Sequence, residues 1–260
     1  MRSRTGLLLQ ARMASTRLPG KALELIEDRP LLEHCLRRLM AAGVGRVVLA
    51  TTTLEEDGVL CDLATRLGVA VYRGSDTDVL ARMAGAAEAF DLDPVVRATG
   101  DNPGVDIDAA ARSLAALNGL HADYVCEDGL PYGAAVEAVS RGALLRAARD
   151  ARDSDDREHV TTWVKRHGEL WNLGFPAAPV PRRRPGLRLT VDTPADLAFV
   201  RSLFARAGTD QPSLRALIEA AESLDYARGK PLDCARGKPL DYARGKPLDY
   251  ARGKQNREVA

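Results

Sequence analysis

The feature of this 260-residue chain that most constrains its fold is a regular alternation of short apolar runs with longer amphipathic stretches. Each apolar run has the length of a buried strand, and each amphipathic stretch is long enough for a helix of several turns. Alternation of this kind predicts βαβ crossovers and a mostly parallel sheet with helices on both faces. In the first half we predict strands at 6–10, 46–51, 69–72 and 94–98, and helices at 31–40, 55–67, 78–90 and 106–117.

The alternation becomes less regular in the second half of the chain. Shorter apolar runs there predict strands at 124–126 and 136–139, and returning strands at 171–175 and 187–191. Amphipathic stretches predict helices at 141–151, 158–166, 195–207 and 213–221. We expect this half to extend the same sheet and to form a lid over one edge of it.

The end of the chain has a different character from the rest. An eight-residue unit repeats there, and its Ala-Arg-Gly-Lys segment begins at Ala227, Ala235, Ala243 and Ala251. Glycine and proline in each unit disfavour a long helix, and eight residues are too few for the common solenoid repeats. We therefore predict a globular domain over 1–223 and a flexible low-complexity tail over 224–260. A tether for an acidic partner or a membrane surface is the alternative interpretation of the tail.

The charge distribution argues against a general nucleic-acid-binding protein. The net charge is +1, but residues 225–260 contain 9 basic and 5 acidic residues, which leaves 28 basic and 31 acidic residues in the body. A slightly acidic body does not attract a nucleic-acid backbone over a broad surface. Any polyanion that the body binds must therefore contact a local basic cluster.

The apolar segments and the cysteines indicate a cytoplasmic protein. No apolar run reaches the roughly 18 residues that span a bilayer, and the first run is too short for a signal peptide. The four cysteines are far apart and lack the spacing of zinc ligands: Cys35, Cys61, Cys126 and Cys234. Reduced buried thiols are the expected state.

Three cationic side chains, Arg12, Arg17 and Lys21, follow the first predicted strand closely. Small residues between them, such as Ser15 and Gly20, allow backbone N–H groups to approach an anion. In open α/β sheets, ligands bind beyond the carboxyl ends of the strands, where this loop must lie. The segment is neither a Walker A loop nor a GxGxxG motif. It predicts a phosphate-binding loop, and the alternative is a solvated basic loop.

Two aspartates also come directly after predicted strands. Asp101 follows the fourth strand in the sequence RATGDNP, and Asp192 follows an apolar run in LTVDTPADL. Two carboxylates facing the basic loop would form a site for Mg²⁺ and a triphosphate. The alternatives are that Asp101 shapes a turn with Asn102, and that Asp192 or Thr193 caps the next helix.

Four segments taken in order, QARMASTRLPGK, TGDNP, DREHVT and VDTPADL, resemble the cytidylyltransferase family that activates acylneuraminate and 3-deoxy-manno-octulosonate. The resemblance covers about residues 5–205 and is strongest to the branch of the spore-coat polysaccharide biosynthesis protein F. It implies a Rossmann-like, GT-A-like nucleotidyltransferase fold of three layers. It also implies that a sugar or sugar-acid hydroxyl attacks the α-phosphorus of CTP, that pyrophosphate leaves, and that the enzyme is a homodimer serving cell-surface or spore polysaccharide synthesis.

The resemblance also implies roles for individual residues. Catalysis would depend on Arg12, Lys21, Asp101 and Asp192, and the two aspartates would bind Mg²⁺. The nucleotide would be bound by Gln10, Ala11, Arg12, Ser15, Arg17, Lys21, Thr51, Gly74 and Asp76. The acceptor would be bound by Glu137, Arg157 and His159. Helix capping explains Asp76 equally well, and a charged first turn of a helix is the alternative for Arg157 and His159.

Two other functions remain open at the level of sequence. One is a glycosyltransferase that uses a nucleotide-sugar on a similar fold, although no Asp-x-Asp pair clearly ends a strand opposite the basic loop. The other is a non-catalytic binding protein. Ala135 supports this second alternative, because the family usually carries aspartate at that position.

Overall fold

The computed structural model describes residues 4–227, 240–241 and 246–247. The flexible tail predicted over 224–260 therefore lies largely outside the described residues. Within them, none of the helices combines the length and the apolar content that crossing a bilayer requires.

Strands and helices alternate along the body of the chain. The strands are β1 (Gly6–Gln10), β2 (Leu25–Ile26), β3 (Arg29–Pro30), β4 (Arg46–Thr52), β5 (Ala70–Gly74), β6 (Val95–Thr99), β7 (Tyr124–Cys126), β8 (Glu137–Val139), β9 (Leu173–Gly174), β10 (Leu240–Asp241) and β11 (Lys246–Pro247). The α-helices are α1 (Leu31–Ala41), α2 (Gly58–Arg66), α3 (Val79–Ala89), α4 (Ala109–Gly119), α5 (Arg141–Asp150), α6 (Ser154–Glu158), α7 (Thr162–Arg166), α8 (Pro194–Ala207) and α9 (Leu214–Ala227). Single 3₁₀ turns occupy Lys21–Leu23, Glu55–Asp57 and Val180–Arg182.

Seven strands form one sheet in the order β5-β4-β1-β6-β8-β7-β9. β1 lies between β4 and β6 and runs parallel to both, and β5 is parallel to β4. β8 is antiparallel to its neighbours β6 and β7, while β9 is parallel to β7. The predicted mostly parallel sheet is confirmed, and the second half of the chain extends it as expected.

Alternate residues of the central strand pack into two separate cores. Leu7 and Leu9 belong to the core that contains α1, whereas Leu8 belongs to the core that contains α3. This division follows from the strand geometry, because successive side chains point to opposite faces of a sheet. Since both faces of β1 are buried, the predicted arrangement of helices on both sides of the sheet is confirmed.

Two of the predicted elements are wrong. The single helix expected over 158–166 is divided into α6 and α7, and Val160 between them has a φ of 41°. The run 187–191 is not a strand of the sheet. Its alternating residues Leu187, Leu189 and Val191 are buried as predicted, but its backbone bonds to loops, with Leu189 N donating to Tyr132 O at 2.8 Å.

A buried arginine joins the first helix to the end of the body. The side chain of Arg38 in α1 is 1% exposed, and burial lowers its pKa to about 10. Its Nε donates to Val105 O at 2.6 Å and its Nη1 donates to Pro212 O at 2.7 Å. These bonds link α1 to the loop after β6 and to the segment before α9.

Candidate active site

A cavity of about 870 Å³ opens beyond the carboxyl ends of β1 and β6. This is the edge of the sheet at which parallel α/β folds bind ligands. The predicted site residues that line it are Gln10, Ala11, Arg12, Ser15, Arg17, Lys21, Asp101, Glu137, His159 and Asp192. The structure therefore brings most of the predicted set into one place.

One ammonium group contacts both of the predicted carboxylates. Lys21 Nζ lies 3.1 Å from Asp101 Oδ2, 3.1 Å from Asp192 Oδ1 and 2.9 Å from Val191 O. The three side chains are mostly buried, with 15% of Lys21, 28% of Asp101 and 13% of Asp192 exposed. We refer to Lys21, Asp101 and Asp192 as the lysine–aspartate cluster.

Backbone contacts between two loops bring the two aspartates together. Val191 N donates to Asp101 O at 2.8 Å, so the segment that ends in Asp192 pairs with the loop that follows β6. Gly133 permits this approach, because its φ is 91° and a Cβ there would lie 2.8 Å from both Asn102 Oδ1 and Thr190 N. A side chain at this position would push the two loops apart.

Asp192 is oriented by cations on both of its carboxylate oxygens. Arg17 Nη2 lies 2.9 Å from Oδ1, the oxygen that also faces Lys21, and Arg188 Nη2 donates to Oδ2 at 2.6 Å. The helix cap is formed by its neighbour, since Thr193 Oγ1 accepts from Asp196 N at 3.2 Å in a capping box of α8. The cap and the cavity carboxylate are therefore adjacent but different residues.

The basic loop, which carries Arg12, Arg17 and Lys21, is held in place by a buried carboxylate that the sequence analysis missed. Asp57 is fully buried, and its Oδ1 accepts from Met13 N at 2.6 Å. Its Oδ2 accepts from Thr51 Oγ1 at 3.1 Å and from both the N–H and the hydroxyl of Thr52. The available signal was an aspartate just after β4, which ends at the same sheet edge as β1.

Arg12 extends from the basic loop toward the far side of the cavity. Its Nη1 donates to Asp76 O at 3.1 Å, and its Nη2 donates to Glu158 Oε1 at 3.1 Å. Asp76 thus contributes its backbone carbonyl to the surroundings of the site. His159, which follows Glu158, lines the cavity with its Nε2 3.6 Å from Asp155 Oδ1.

Glu137 forms a buried ionic cluster in the wall of the cavity. Its carboxylate accepts from Arg97, from Lys165 Nζ at 3.2 Å, from Tyr124 Oη at 2.6 Å and from Thr161 Oγ1 at 2.8 Å. Burial alone would raise the pKa of Glu137, but the charges of Lys165 and Arg97 and these hydrogen bonds outweigh it and hold the pKa well below its usual range. Sequence analysis missed both cations; a basic residue inside the apolar strand PVVRA was the signal for Arg97.

Four of the predicted residues do not line the cavity: Thr51, Gly74, Asp76 and Arg157. Thr51 is fully buried and donates to Asp57. The acceptor-binding role of Arg157 stays a prediction. In this structure its Nε donates to Asp78 Oδ2 at 2.8 Å and its Nη1 donates to Ala148 O at 2.5 Å. Arg157 therefore joins α6 to α3 and α5.

Comparison with known proteins agrees with this geometry. The chain is 33% identical over 215 residues to spore coat polysaccharide biosynthesis protein SpsF of Bacillus subtilis, covering 80% of this chain and 89% of the relative. It is 29% identical over 253 residues to 3-deoxy-manno-octulosonate cytidylyltransferase of Bradyrhizobium sp. (strain ORS 278), covering 79% of this chain and 99% of the relative.

A solved cytidylyltransferase from Leptospira borgpetersenii serovar Hardjo-bovis matches the fold with a TM-score of 0.80 and 28% identity, covering 86% of this chain and 96% of that one. Residues 7–225 match the family model described as cytidylyltransferase, a range that includes every residue of the lysine–aspartate cluster and the basic loop. The chain therefore belongs to the cytidylyltransferase family.

Proposed function

We propose that this protein transfers CMP from CTP to a hydroxyl group of a sugar or sugar acid and releases pyrophosphate. The observation that supports this most directly is the contact of one ammonium group, Lys21 Nζ, with both Asp101 and Asp192. The cluster lies in a cavity that Arg12 and Arg17 also line. Relatives named for spore-coat polysaccharide synthesis and for 3-deoxy-manno-octulosonate support an acceptor of the saccharide class.

The lysine–aspartate cluster suits Mg²⁺ in the chemistry of its donors. Asp101 Oδ2 and Asp192 Oδ1 already face one positive centre. Mg²⁺ is bound through one or two carboxylates together with waters and substrate phosphates, and does not need an all-protein cage. The described residues contain no group of three metal-ligating side chains, and this mode of binding requires none. When bound, Mg²⁺ would neutralise phosphate charge.

The chain's own residues would work chiefly by position and charge. Arg12, Arg17 and Lys21 would bind the triphosphate and stabilise the charge that accumulates on the departing pyrophosphate. A bond forms between the acceptor oxygen and the α-phosphorus as the bond from that phosphorus to the bridging oxygen breaks, and the hydroxyl proton is released. The acceptor oxygen would attack in line with the bond that breaks, and Asp57 fixes the basic loop that binds the triphosphate for this attack. Most of the rate acceleration would arise from this positioning.

The wall formed around Glu137 would orient the acceptor. Arg97 and Lys165 are held by Glu137, so the cluster presents fixed donors rather than mobile charges. Preorganised groups lose little entropy when a polar ligand binds. Ala135 lines the same wall and presents a methyl group to the cavity.

Pyrophosphate release with each of the four nucleoside triphosphates, measured with Mg²⁺ across sugar acids and neutral sugars, tests the proposal. We expect turnover with CTP and at least one acceptor of this panel. Absence of turnover with every acceptor, together with no binding of CTP in the presence of Mg²⁺, would contradict it. A nucleotide-sugar that binds more tightly than CTP would instead favour a glycosyltransferase.

We also propose that the enzyme acts in the cytoplasm and as a homodimer. The free and buried thiols of Cys35 and Cys126 fit a reducing compartment. The dimer is proposed from the family resemblance, and light scattering of the purified chain would test it. A mass of a single chain at micromolar concentration would contradict it.

A further inference from the structure

A buried arginine in the cavity wall lacks the anionic partner that such a side chain normally has. Arg82 of α3 is 2% exposed and lines the cavity. Its Nη1 donates to Ser75 O, and its Nε has no hydrogen-bond partner. Among the described residues, no carboxylate forms an ion pair with it. The charges of Glu158, Asp57 and Asp76 act on Arg82 without contacting it. Buried charges are normally paired directly, so the guanidinium group can still accept an anion.

A second guanidinium group lies beside the first. The two side chains donate to consecutive backbone carbonyls: Arg12 Nη1 donates to Asp76 O, and Arg82 Nη1 donates to Ser75 O. Burial and the nearby charge of Arg12 together lower the pKa of Arg82. Two neighbouring cations in a partly buried site repel each other unless an anion lies between them.

The approach of Arg82 to this turn depends on Gly74. A Cβ at Gly74 would lie 3.0 Å from Arg82 Cγ, which is tighter than ordinary van der Waals contact. The glycine therefore leaves room for the buried stem of the arginine. Its guanidinium group can then reach the Ser75 carbonyl at the cavity wall.

The anion that now lies beside the two arginines is the carboxylate of Glu158, and a ligand can displace it. Glu158 Oε1 accepts from Arg12 Nη2 at 3.1 Å, with 37% of the Arg12 side chain and 41% of the Glu158 side chain exposed. The charge of Glu158 also acts on Arg82. An ion pair this exposed is weak, so a ligand with more charge can replace the carboxylate.

We propose that Arg12 and Arg82 form a clamp for one phosphate group of the nucleotide, and that this phosphate displaces Glu158 from Arg12. The proposal rests on the proposed function and adds a buried residue and an exchange step to it. Phosphate fits because its several oxygens can accept from two guanidinium groups at once. The clamp extends the anion site from the basic loop to α3.

The decisive variant is Arg82→Met, which keeps the volume of the side chain and removes its charge. We expect its affinity for inorganic pyrophosphate and for CTP, measured by isothermal titration calorimetry without added acceptor, to fall roughly 10- to 100-fold. We expect its melting temperature to be no lower than that of the wild type, because a buried unpaired charge is removed. Lost affinity accompanied by a large fall in melting temperature would instead assign Arg82 a structural role.

Arg38→Met is the matched control, since Arg38 is equally buried, also lacks a partner on one nitrogen, and does not line the cavity. It should lower the melting temperature, because the bonds of Arg38 to Val105 O and Pro212 O are both lost, and leave pyrophosphate affinity unchanged. Equal weakening of pyrophosphate binding in both variants would overturn the proposal.

Glu158→Gln tests the exchange, because removing a competing carboxylate should raise pyrophosphate affinity severalfold. Unchanged or weaker binding would overturn displacement, and absence of pyrophosphate binding by the wild type would overturn the clamp.

The outcome separates the clamp from the proposed function. If no nucleotide is turned over but pyrophosphate binding depends on Arg82, the clamp stands alone; if CTP is turned over and Arg82→Met binds pyrophosphate as the wild type does, only the clamp fails.

Discussion

At the scale of single residues, one nitrogen atom, Lys21 Nζ, contacts both carboxylates of the lysine–aspartate cluster. Lys21→Met would leave Asp101 and Asp192 facing the same space without their shared cation. We expect kcat/KM for CTP to fall on the order of 100-fold or more, since the proposed function assigns this charge to stabilising the departing phosphates. Steady-state pyrophosphate release measures this. Arg37→Met, at a partly buried pair with Glu33 outside the cavity, is the control. A change below threefold in Lys21→Met would contradict the prediction.

Glu137 gives the protein a stability that depends on pH. The pKa of its carboxyl group is held below the ordinary value of 4.5, so its contribution is complete above that value and is lost as pH falls below it. Glu137→Gln leaves Arg97 and Lys165 without their anion, and we expect a loss of about 3–5 kcal/mol at neutral pH. Urea denaturation from pH 7 to pH 3.5 should show the two proteins converging. A constant difference over this range would show that Glu137 does not titrate as proposed.

The sequence predicts some of these residues and not others for a physical reason. Lys21, Asp101 and Asp192 follow strand ends, and parallel strands bring their carboxyl ends to one edge of a sheet. Arg82 lies within a helix, where a cation is ordinary, and only the packed structure reveals that it is buried. Arg157 is the reverse case. Its motif predicted a place in the site, but its side chain pairs with Asp78 instead.

At the scale of elements, the basic loop and the end of β4 are joined by Asp57. Asp57→Ala would leave the N–H of Met13 and the hydroxyls of Thr51 and Thr52 without an acceptor. We expect the free energy of unfolding to fall by about 2–4 kcal/mol and CTP affinity to weaken as the loop loses its anchor. Chemical denaturation and calorimetry measure the two effects. Asp62→Ala, at an exposed position of α2 just after Asp57, should change neither. CTP affinity at the wild-type level in Asp57→Ala would show that the basic loop keeps its conformation without Asp57.

Element prediction succeeds where local periodicity and tertiary pairing agree. Strands β1, β4, β5 and β6 pair with one another in the parallel part of the sheet, so their apolar runs indicate both their conformation and their place. The run 187–191 has the same periodicity but pairs with loops, among them Tyr132 and Asp101. A periodic pattern reports which side chains are buried and does not report which backbone lies alongside them.

At the scale of the whole molecule, we expect the body to act without the repeats. Deletion of residues 228–260 should leave kcat/KM within about twofold of the full chain, because every described residue that lines the cavity belongs to the body. Pyrophosphate release by the two forms makes the comparison, with equal melting temperatures as the control for folding. Loss of turnover in the shortened chain would show that the repeats take part in the reaction.

Arg38 ties the completion of this domain to the last part of its synthesis. Its guanidinium group donates a hydrogen bond to the carbonyl of Pro212, which is 174 residues further along the chain. Until the ribosome has released that segment, the buried charge would lack this second acceptor, so we expect α1 not to reach its final packing. The nascent chain should therefore become resistant to protease only after residue 212 has emerged, and the first half should not form a stable unit on its own.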